Sequence, residues 1–205
     1  MPVTVIANPK GGVGKSTLST QVAGYYAAKG FATMLGDVDK QQSSKLWLGL
    51  RPQAARLIQS WDVDAKHIAK PPKGVSHVVL DTPAGISGER LASALKVATK
   101  VIVPLQPSVF DIFATKSFLD ELLKSKYMGQ FQIGIVGMRV DGRTIAADKL
   151  QEFVATLRLP VLGMLRDTQN YVHLAARGLT LFDVAPGRVE RDLEQWAPIC
   201  HWLDS

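Results

Sequence analysis

The sequence contains a single cysteine, Cys200. No intrachain disulfide and no cysteine-based metal cluster can therefore be built, which suits a reducing compartment. No apolar run approaches the roughly eighteen residues of a membrane span, so no transmembrane helix is expected. The opening stretch MPVTVIANPKGG has no basic segment leading into a long apolar core, so a signal peptide is not expected either. Internal repeats, low-complexity tracts and linker-like stretches are lacking, and PPKG at 71–74 reads as a turn. Acidic residues are outnumbered by basic ones, for a net charge of +6. That balance favours nucleic acid or another acidic surface as a partner, and it equally describes an ordinary basic soluble protein. What is present is a chain of 205 residues, 46% apolar and 20% charged, which is enough for one complete core. Residues 1–205 are expected to form a single domain.

Apolar runs alternate with helical patterns along the whole chain. Strands are expected at 3–7, 32–37, 76–81, 101–105, 131–138 and 159–165. Helices are expected at 16–30, 87–98, 111–126, 144–157, 168–177 and 188–203, with Leu18, Val22, Tyr25 and Tyr26 on one side of the first and Gly30 ending it. Strands that are apolar almost throughout, each followed by a helix, indicate an α/β fold. Its sheet is mostly parallel and twisted, with helices on both faces. Ligands of such sheets bind at the carboxyl ends of the strands. The polar motifs all fall there.

The first motif is NPKGGVGKST at 8–17. Gly14, Lys15 and Ser16 close a phosphate-binding loop between a strand and a helix. The general pattern G-x-x-x-x-G-K-[ST] asks for glycine where this chain has Pro9, and a second lysine, Lys10, follows. Backbone N–H groups of the loop cradle phosphates, and the helix dipole adds a favourable field. Gly11, Gly12, Val13, Gly14, Lys15, Ser16 and Thr17 are the expected nucleotide contacts. Lys15 reaches the β and γ phosphates, Ser16 ligates Mg²⁺, and Thr17 donates to the α phosphate. In VVLDTPAG at 78–85, Asp81 ends an apolar strand as a carboxylate that orients Mg²⁺. In GDVDKQ at 36–41, Asp37 and Asp39 point to the same face of an extended chain. One of them orients an attacking water, or both cap the helix that begins near Ser43. The residues alone leave these two readings open.

Together, KGGVGKST, DVDKQ and VVLDTPAG resemble the ParA/MinD group of deviant Walker-motif ATPases. The resemblance continues through VIVPLQPSVFDIFAT (101–115), GMRVDGRT (137–144) and YVHLAARGLTLFD (171–183). The nearest subgroup is the short ParA proteins that lack an N-terminal DNA-reading domain. The resemblance implies a P-loop NTPase fold, ATP and Mg²⁺ as cofactors, and slow hydrolysis to ADP and phosphate. It implies a homodimer with two ATP molecules sandwiched between protomers, into which Lys10 of each reaches the other's nucleotide. Lys10, Lys15 and Asp39 are then the catalytic set, with Asp39 placing the water. Asp81 holds a water of the metal, Asp37 stands behind it, and Asn8 matches an asparagine common before the lysine. Two residues depart from the family pattern. Lys40 replaces a usual proline, and Met138 replaces an asparagine that contacts adenine in many members. Base recognition then falls to backbone groups around Arg166 and Asp167.

Short ParA-type proteins bind DNA without sequence preference as ATP dimers, and Arg158 and Arg188 match arginines that contact DNA in relatives. Lys124 and Lys126 are further candidates at a helix end, and the basic excess lies before Arg139. MinD-like relatives instead bind membrane through a C-terminal amphipathic helix. Here VERDLEQWAPICHWLDS is acidic and interrupted by Pro198, which argues against membrane and for a packed helix with Trp196 and Trp202 as core. The function implied is an ATPase that partitions or positions a plasmid, chromosome or protein cargo in a bacterial cell. It would be cytoplasmic, nucleoid-associated with ATP, and stimulated by a ParB-like or cargo-adaptor protein. The alternatives are a MinD-like membrane-associated ATPase and a metabolic ligase of the dethiobiotin-synthetase type. A nitrogenase-iron-protein reading fails, because Cys200 alone cannot bridge an iron–sulfur cluster.

Overall fold

The structure is a computed structural model that describes residues 1–63, 68 and 71–205. The chain opens with β1 (Val3–Ile6), α1 (Lys15–Ala28), β2 (Thr33–Asp37), α2 (Ser43–Leu50), β3 (Ile58–Trp61) and β4 (His77–Asp81). It continues with α3 (Gly88–Val97), β5 (Lys100–Leu105), α4 (Val109–Leu123), β6 (Gln132–Gly137) and α5 (Ile145–Thr156). Then come β7 (Val161–Met164), α6 (Gln169–Ala175) and α7 (Glu190–Asp204). Among the described residues the seven strands form one sheet in the order β3-β2-β4-β1-β5-β6-β7, and every pairing is parallel. The expected α/β architecture is what the chain adopts, with a wholly parallel sheet.

Alternation along the strands divides the core in two. Val3 and Val5 of β1, Val78 and Leu80 of β4, and Val101 and Val103 of β5 face one layer. It is closed by Leu91 and Leu95 of α3, Phe118, Leu119 and Leu122 of α4, and Leu150 and Val154 of α5. Ile6, Val79 and Ile102 face the other, under Leu18 and Val22 of α1, Trp47 of α2, Leu174 of α6 and Trp196 of α7. A strand buried on both faces reads as a continuous apolar run, which is why these strands are visible in the sequence.

Three details depart from the sequence reading. The edge strand β3 was not expected; its middle residues Gln59 and Ser60 are exposed, so it lacks the apolar signature of a buried strand. Pro198 does not interrupt the last helix: α7 runs through it. The proline removes one backbone hydrogen bond, but Trp196, Ile199 and Leu203 on either side are buried and hold the helix in place. Trp196 is core, as expected, whereas Trp202 is half-buried, with the Lys100 ammonium 4.9 Å from its ring centre.

The topology sets the position of the site. From β1 the chain crosses to β2 and β3, returns to β4 beside β1, and then moves the other way to β5, β6 and β7. The carboxyl end of β1 therefore lies at the reversal of strand order, where open α/β sheets bind ligands.

Candidate functional site

At that reversal the chain leaves β1 as residues 7–14 and enters α1. Gly12 and Gly14 have φ of +77° and +92°, a region that side-chain-bearing residues rarely occupy. Gly14 precedes α1, and no side chain caps the helix. The N–H groups of the first turn are left for an anion, on a helix long enough to carry a dipole. A Cβ at Gly14 would also lie 2.8 Å from Cε of Met138, so Met138 packs directly on the loop.

The loop is braced from beneath by Asn8, which is fully buried. Its Nδ2 donates to the Pro104 carbonyl at 2.7 Å and to the Thr115 hydroxyl at 3.0 Å, and its Oδ1 accepts from the Lys10 N–H at 2.9 Å. On the far side the Gln106 amide donates to the Gly12 carbonyl at 2.9 Å. Lys15 is buried, and its ammonium donates to the Lys10 carbonyl at 2.7 Å. Burial holds that ammonium below its ordinary pKa, while Asp81 and Asp39 pull it back up.

A cleft of about 730 Å³ opens over this loop. Gly11, Gly12, Gly14, Lys15, Ser16 and Thr17 form its floor, and Val38, Asp39, Lys40, Gln41 and Ser43 one wall. Pro83, Ala84, Arg90 and Arg139 complete the lining. Val13 is buried beneath the loop. The volume suits a nucleotide-sized ligand.

Hydrogen bonds separate the two aspartates of β2 and its following turn. Asp37 accepts from the Asp39 N–H at 2.9 Å, and from the Ser44 and Lys45 N–H groups at 2.8 and 3.2 Å. It thus holds the start of α2, although Gln42 occupies the capping position. Among the described residues Asp39 accepts a hydrogen bond from the Gln41 N–H, at 3.0 Å, and it lines the cleft. The two readings left open by the sequence each describe one residue: Asp37 caps the helix and Asp39 faces the ligand space.

Asp81 sits opposite Asp37 in the sheet register and is 1% exposed. Its Oδ2 accepts from the Ser44 hydroxyl at 2.6 Å, and among the described residues its Oδ1 completes no hydrogen bond. Burial pushes this carboxyl up to about 6; nearby Ser44, Ser16 and Ser19 hydroxyls oppose the rise, and the Asp37 charge adds to it. An unsatisfied, buried carboxylate oxygen is costly, and a hydrated hard cation is the partner that relieves it. The donor set of Asp81 and the Ser16 hydroxyl fits Mg²⁺ on that ground.

The remaining expected residues lie outside the cleft. Lys10 does not line it; its ammonium is 3.7 Å from Asp111 of α4 and its side chain is 40% exposed. Arg166 follows β7 and donates from Nε to the buried Asp192 at 2.6 Å, tying β7 to α7, and neither it nor Asp167 touches the cleft. Arg158 and Arg188 are both exposed, at opposite ends of β7. Arg158 precedes the strand, whereas Arg188 adjoins the start of α7, which Asp192 fastens to the residues after it.

Arg90 and Arg139 were missed by motif reading. Arg139 is in the quoted GMRVDGRT, but only its backbone, with φ of +53°, turns it toward the cleft. Nothing in the sequence signals Arg90.

Comparison with known proteins agrees with this geometry. Residues 4–181 match the CobQ/CobB/MinD/ParA nucleotide binding domain. The chain is 31% identical over 112 residues to maintenance of carboxysome distribution protein A of Gloeobacter kilaueensis, covering 54% of this chain and 51% of that protein. The match thus spans about half of that relative's length. Over 181 residues it is 27% identical to the chromosome-partitioning ATPase Soj of Thermus thermophilus, covering 71% and 72%. The apo structure of McdA from Cyanothece has the same fold, with a TM-score of 0.77 at 16% identity over 95% and 97% of the two chains. With the family match running from β1 to beyond α6 and the loop, cleft and buried aspartate in place, the chain belongs to the CobQ/CobB/MinD/ParA nucleotide-binding family.

Proposed function

We propose that residues 1–205 act as one ATPase domain that uses ATP to form a homodimer and hydrolysis to release it. One observation carries this reading. Lys15 lies in the floor of its own cleft, whereas Lys10, five residues earlier, is not among the lining residues; its ammonium is 3.7 Å from Asp111 and its side chain is 40% exposed. A lysine placed this way is positioned to serve a nucleotide other than its own protomer's. Two triphosphates brought face to face repel each other, and a lysine from each side offsets that charge. An isologous interface supplies both lysines at once.

Within each protomer, the N–H groups of Gly11 to Thr17 bind the phosphates and Lys15 neutralises the terminal ones. Asp39 orients the attacking water, and Arg166 and Asp167 offer backbone groups to the base. Ser16 and, through a water, Asp81 would hold Mg²⁺, with Asp37 behind them. The ion supplies positive charge to the phosphate oxygens.

The dimer binds DNA without sequence preference through phosphate contacts, Arg158 and Arg188 among them. The relatives named above suggest a cargo that is positioned or partitioned on the nucleoid in the cytoplasm, with a ParB-like or adaptor protein stimulating turnover. Membrane binding through α7 is disfavoured by its attachments. Lys100 donates to the carbonyls of Trp202, Leu203 and Ser205, and Asp204 pairs with Lys29 and accepts from Tyr25. Among the described residues no helix is long and apolar enough to cross a membrane.

The test is retention on unrelated duplex DNA with ATP, with ADP and without nucleotide. Retention in ATP alone supports the positioning ATPase. Equal binding in all three states contradicts the switch, and no binding in any favours a metabolic enzyme.

A further inference from the structure

Asp37 and Asp81 end neighbouring strands and are register partners in the sheet. Adjacent strands lie about 4.8 Å apart, so two such carboxylates repel each other unless a donor stands between them. Ser44, in the first turn of α2, binds both. Its N–H donates to Oδ2 of Asp37 at 2.8 Å, and its hydroxyl donates to Oδ2 of Asp81 at 2.6 Å. Ser44 is fully buried, so bulk water does not compete for that hydroxyl.

The two carboxylates are held differently. Main-chain donors hold Asp37: the N–H groups of Asp39, Ser44 and Lys45 engage both of its oxygens. Asp81 has its main chain locked instead. It pairs with Ile6 of β1 and with Asp37 of β2, and its carbonyl accepts from the Val38 N–H at 3.1 Å. The Thr82 hydroxyl, one residue later, donates to the Ile6 carbonyl at 2.8 Å. None of these contacts fixes the Asp81 carboxylate. The last torsion of an aspartate is a broad, roughly two-fold rotor, so its direction is set by what holds one oxygen. Among the described residues the Ser44 hydroxyl bonds to Oδ2, and Oδ1 completes no hydrogen bond. A serine hydroxyl has one proton to give, and here Asp81 receives it.

We infer that Ser44 is a positioning residue for the Mg²⁺ site: by holding Oδ2 of Asp81, it leaves Oδ1 as the oxygen that meets a water of the metal. The inference rests on the Mg²⁺ reading of Asp81 in the preceding subsection. The chemistry supports it. Carboxylates at metal sites are aimed by hydrogen bonds from residues that do not touch the metal, and loss of such a partner lowers metal affinity while the carboxylate stays. Mg²⁺ demands near-ideal geometry, so the angle of the carboxylate matters. Location supports it as well. The Ser16 and Ser19 hydroxyls and the Lys15 ammonium all interact with the same carboxyl, at the phosphate loop. Ser44 also ties the metal to the cleft wall. Val38, Asp39, Lys40, Gln41 and Ser43, just before it, form that wall, so the metal and the Asp39 segment are held through one residue.

The test measures binding of a fluorescent ATP analogue to wild type, Ser44→Ala, Asp81→Asn and the double variant. Each protein is titrated with Mg²⁺ and also measured in EDTA. Ser44→Ala is expected to raise the Mg²⁺ concentration of half-maximal effect about tenfold or more, with affinity in EDTA kept within about threefold. In the Asp81→Asn background the same change is expected to alter binding by less than about twofold at any Mg²⁺ concentration, because the hydroxyl acts through the carboxylate. Ser44→Cys, which keeps a weak donor in place, carries the same comparison with a smaller rise should Ser44→Ala fail to fold. Equal losses with Mg²⁺ and in EDTA overturn the inference and leave Ser44 only the shaping of α2. A full loss repeated in the Asp81→Asn background, or a Ser44→Ala protein with the wild-type Mg²⁺ requirement, also overturns the inference alone. A wild type that binds the analogue equally with Mg²⁺ and in EDTA overturns the Mg²⁺ reading of Asp81 and the inference together.

Discussion

The Lys15 ammonium donates a 2.7 Å hydrogen bond to the backbone carbonyl of Lys10. The two lysines of the loop are thereby linked, one through its side chain and the other through its main chain. A bound phosphate competes for the same ammonium, so filling the cleft changes what holds the Lys10 segment. Lys10 contributes its carbonyl to this bond, while its ammonium lies 3.7 Å from Asp111 of α4.

Lys10→Ala leaves that carbonyl in place. ATP binding is therefore expected to survive within a few-fold, while ATP-dependent dimerisation weakens by tenfold or more, as for loss of a charge-assisted contact of about 1.5–3 kcal/mol. Titration of ATP followed by sedimentation separates the two effects. Loss of both to the same extent would place Lys10 in its own site instead.

Asp39→Ala removes the cleft-facing carboxylate and spares Asp37, which holds α2. The variant is expected to bind ATP, accumulate as the ATP-bound dimer and turn over about a hundredfold more slowly, in the range for loss of a general base or water-orienting group. Phosphate release under single-turnover conditions is the readout. Wild-type turnover in this variant would reject the assignment.

Asp81 imposes a pH dependence on stability. Its folded pKa of about 6 lies above the value near 4 of an unfolded aspartate, so the folded state binds the proton more tightly. Without nucleotide and metal, this group's contribution is most favourable below about pH 4 and falls as pH rises to about 6. Asp81→Asn removes the loss and is expected to raise stability at pH 7.5 by roughly 1–3 kcal/mol. Urea melts at pH 5 and 7.5 check it; an equal or lower midpoint for the variant at pH 7.5 would contradict the burial argument. Mg²⁺-dependent ATP binding should weaken in the same variant.

Arg158 precedes β7 and Arg188 adjoins the start of α7, and among the described residues no hydrogen bond or ion pair gives them a common partner. Their contributions to DNA binding are therefore expected to add. Each change to Glu should weaken ATP-dependent retention on unrelated duplexes to a similar degree for all sequences. It should also lower the slope of log affinity against log salt by about one unit. A variant with an unchanged slope would remove that arginine from the DNA surface.

Strands buried on both faces, such as VTVIA and VIVPL, are legible in the sequence because every residue must be apolar. β3 is not, since an edge strand with Gln59 and Ser60 exposed carries no such pattern. Pro198 shows the limit of local rules: its neighbours' burial outweighs one missing hydrogen bond. In the site, the loop and Asp81 are legible because their chemistry needs fixed residue types next to a strand end. The division of labour between Asp37 and Asp39 is not, because it depends on which backbone N–H groups the following turn presents. The contacts of Lys10 with Asp111 and of Gly12 with Gln106 join segments about a hundred residues apart, and no spacing signals them.

The central claim is that ATP makes this chain a dimer. Light scattering of the wild-type protein with ATP and Mg²⁺, with ADP and Mg²⁺, and with neither tests it most directly. The account predicts a mass of two chains with ATP and of one chain in the other two states. A single-chain mass with ATP demonstrably bound would contradict it.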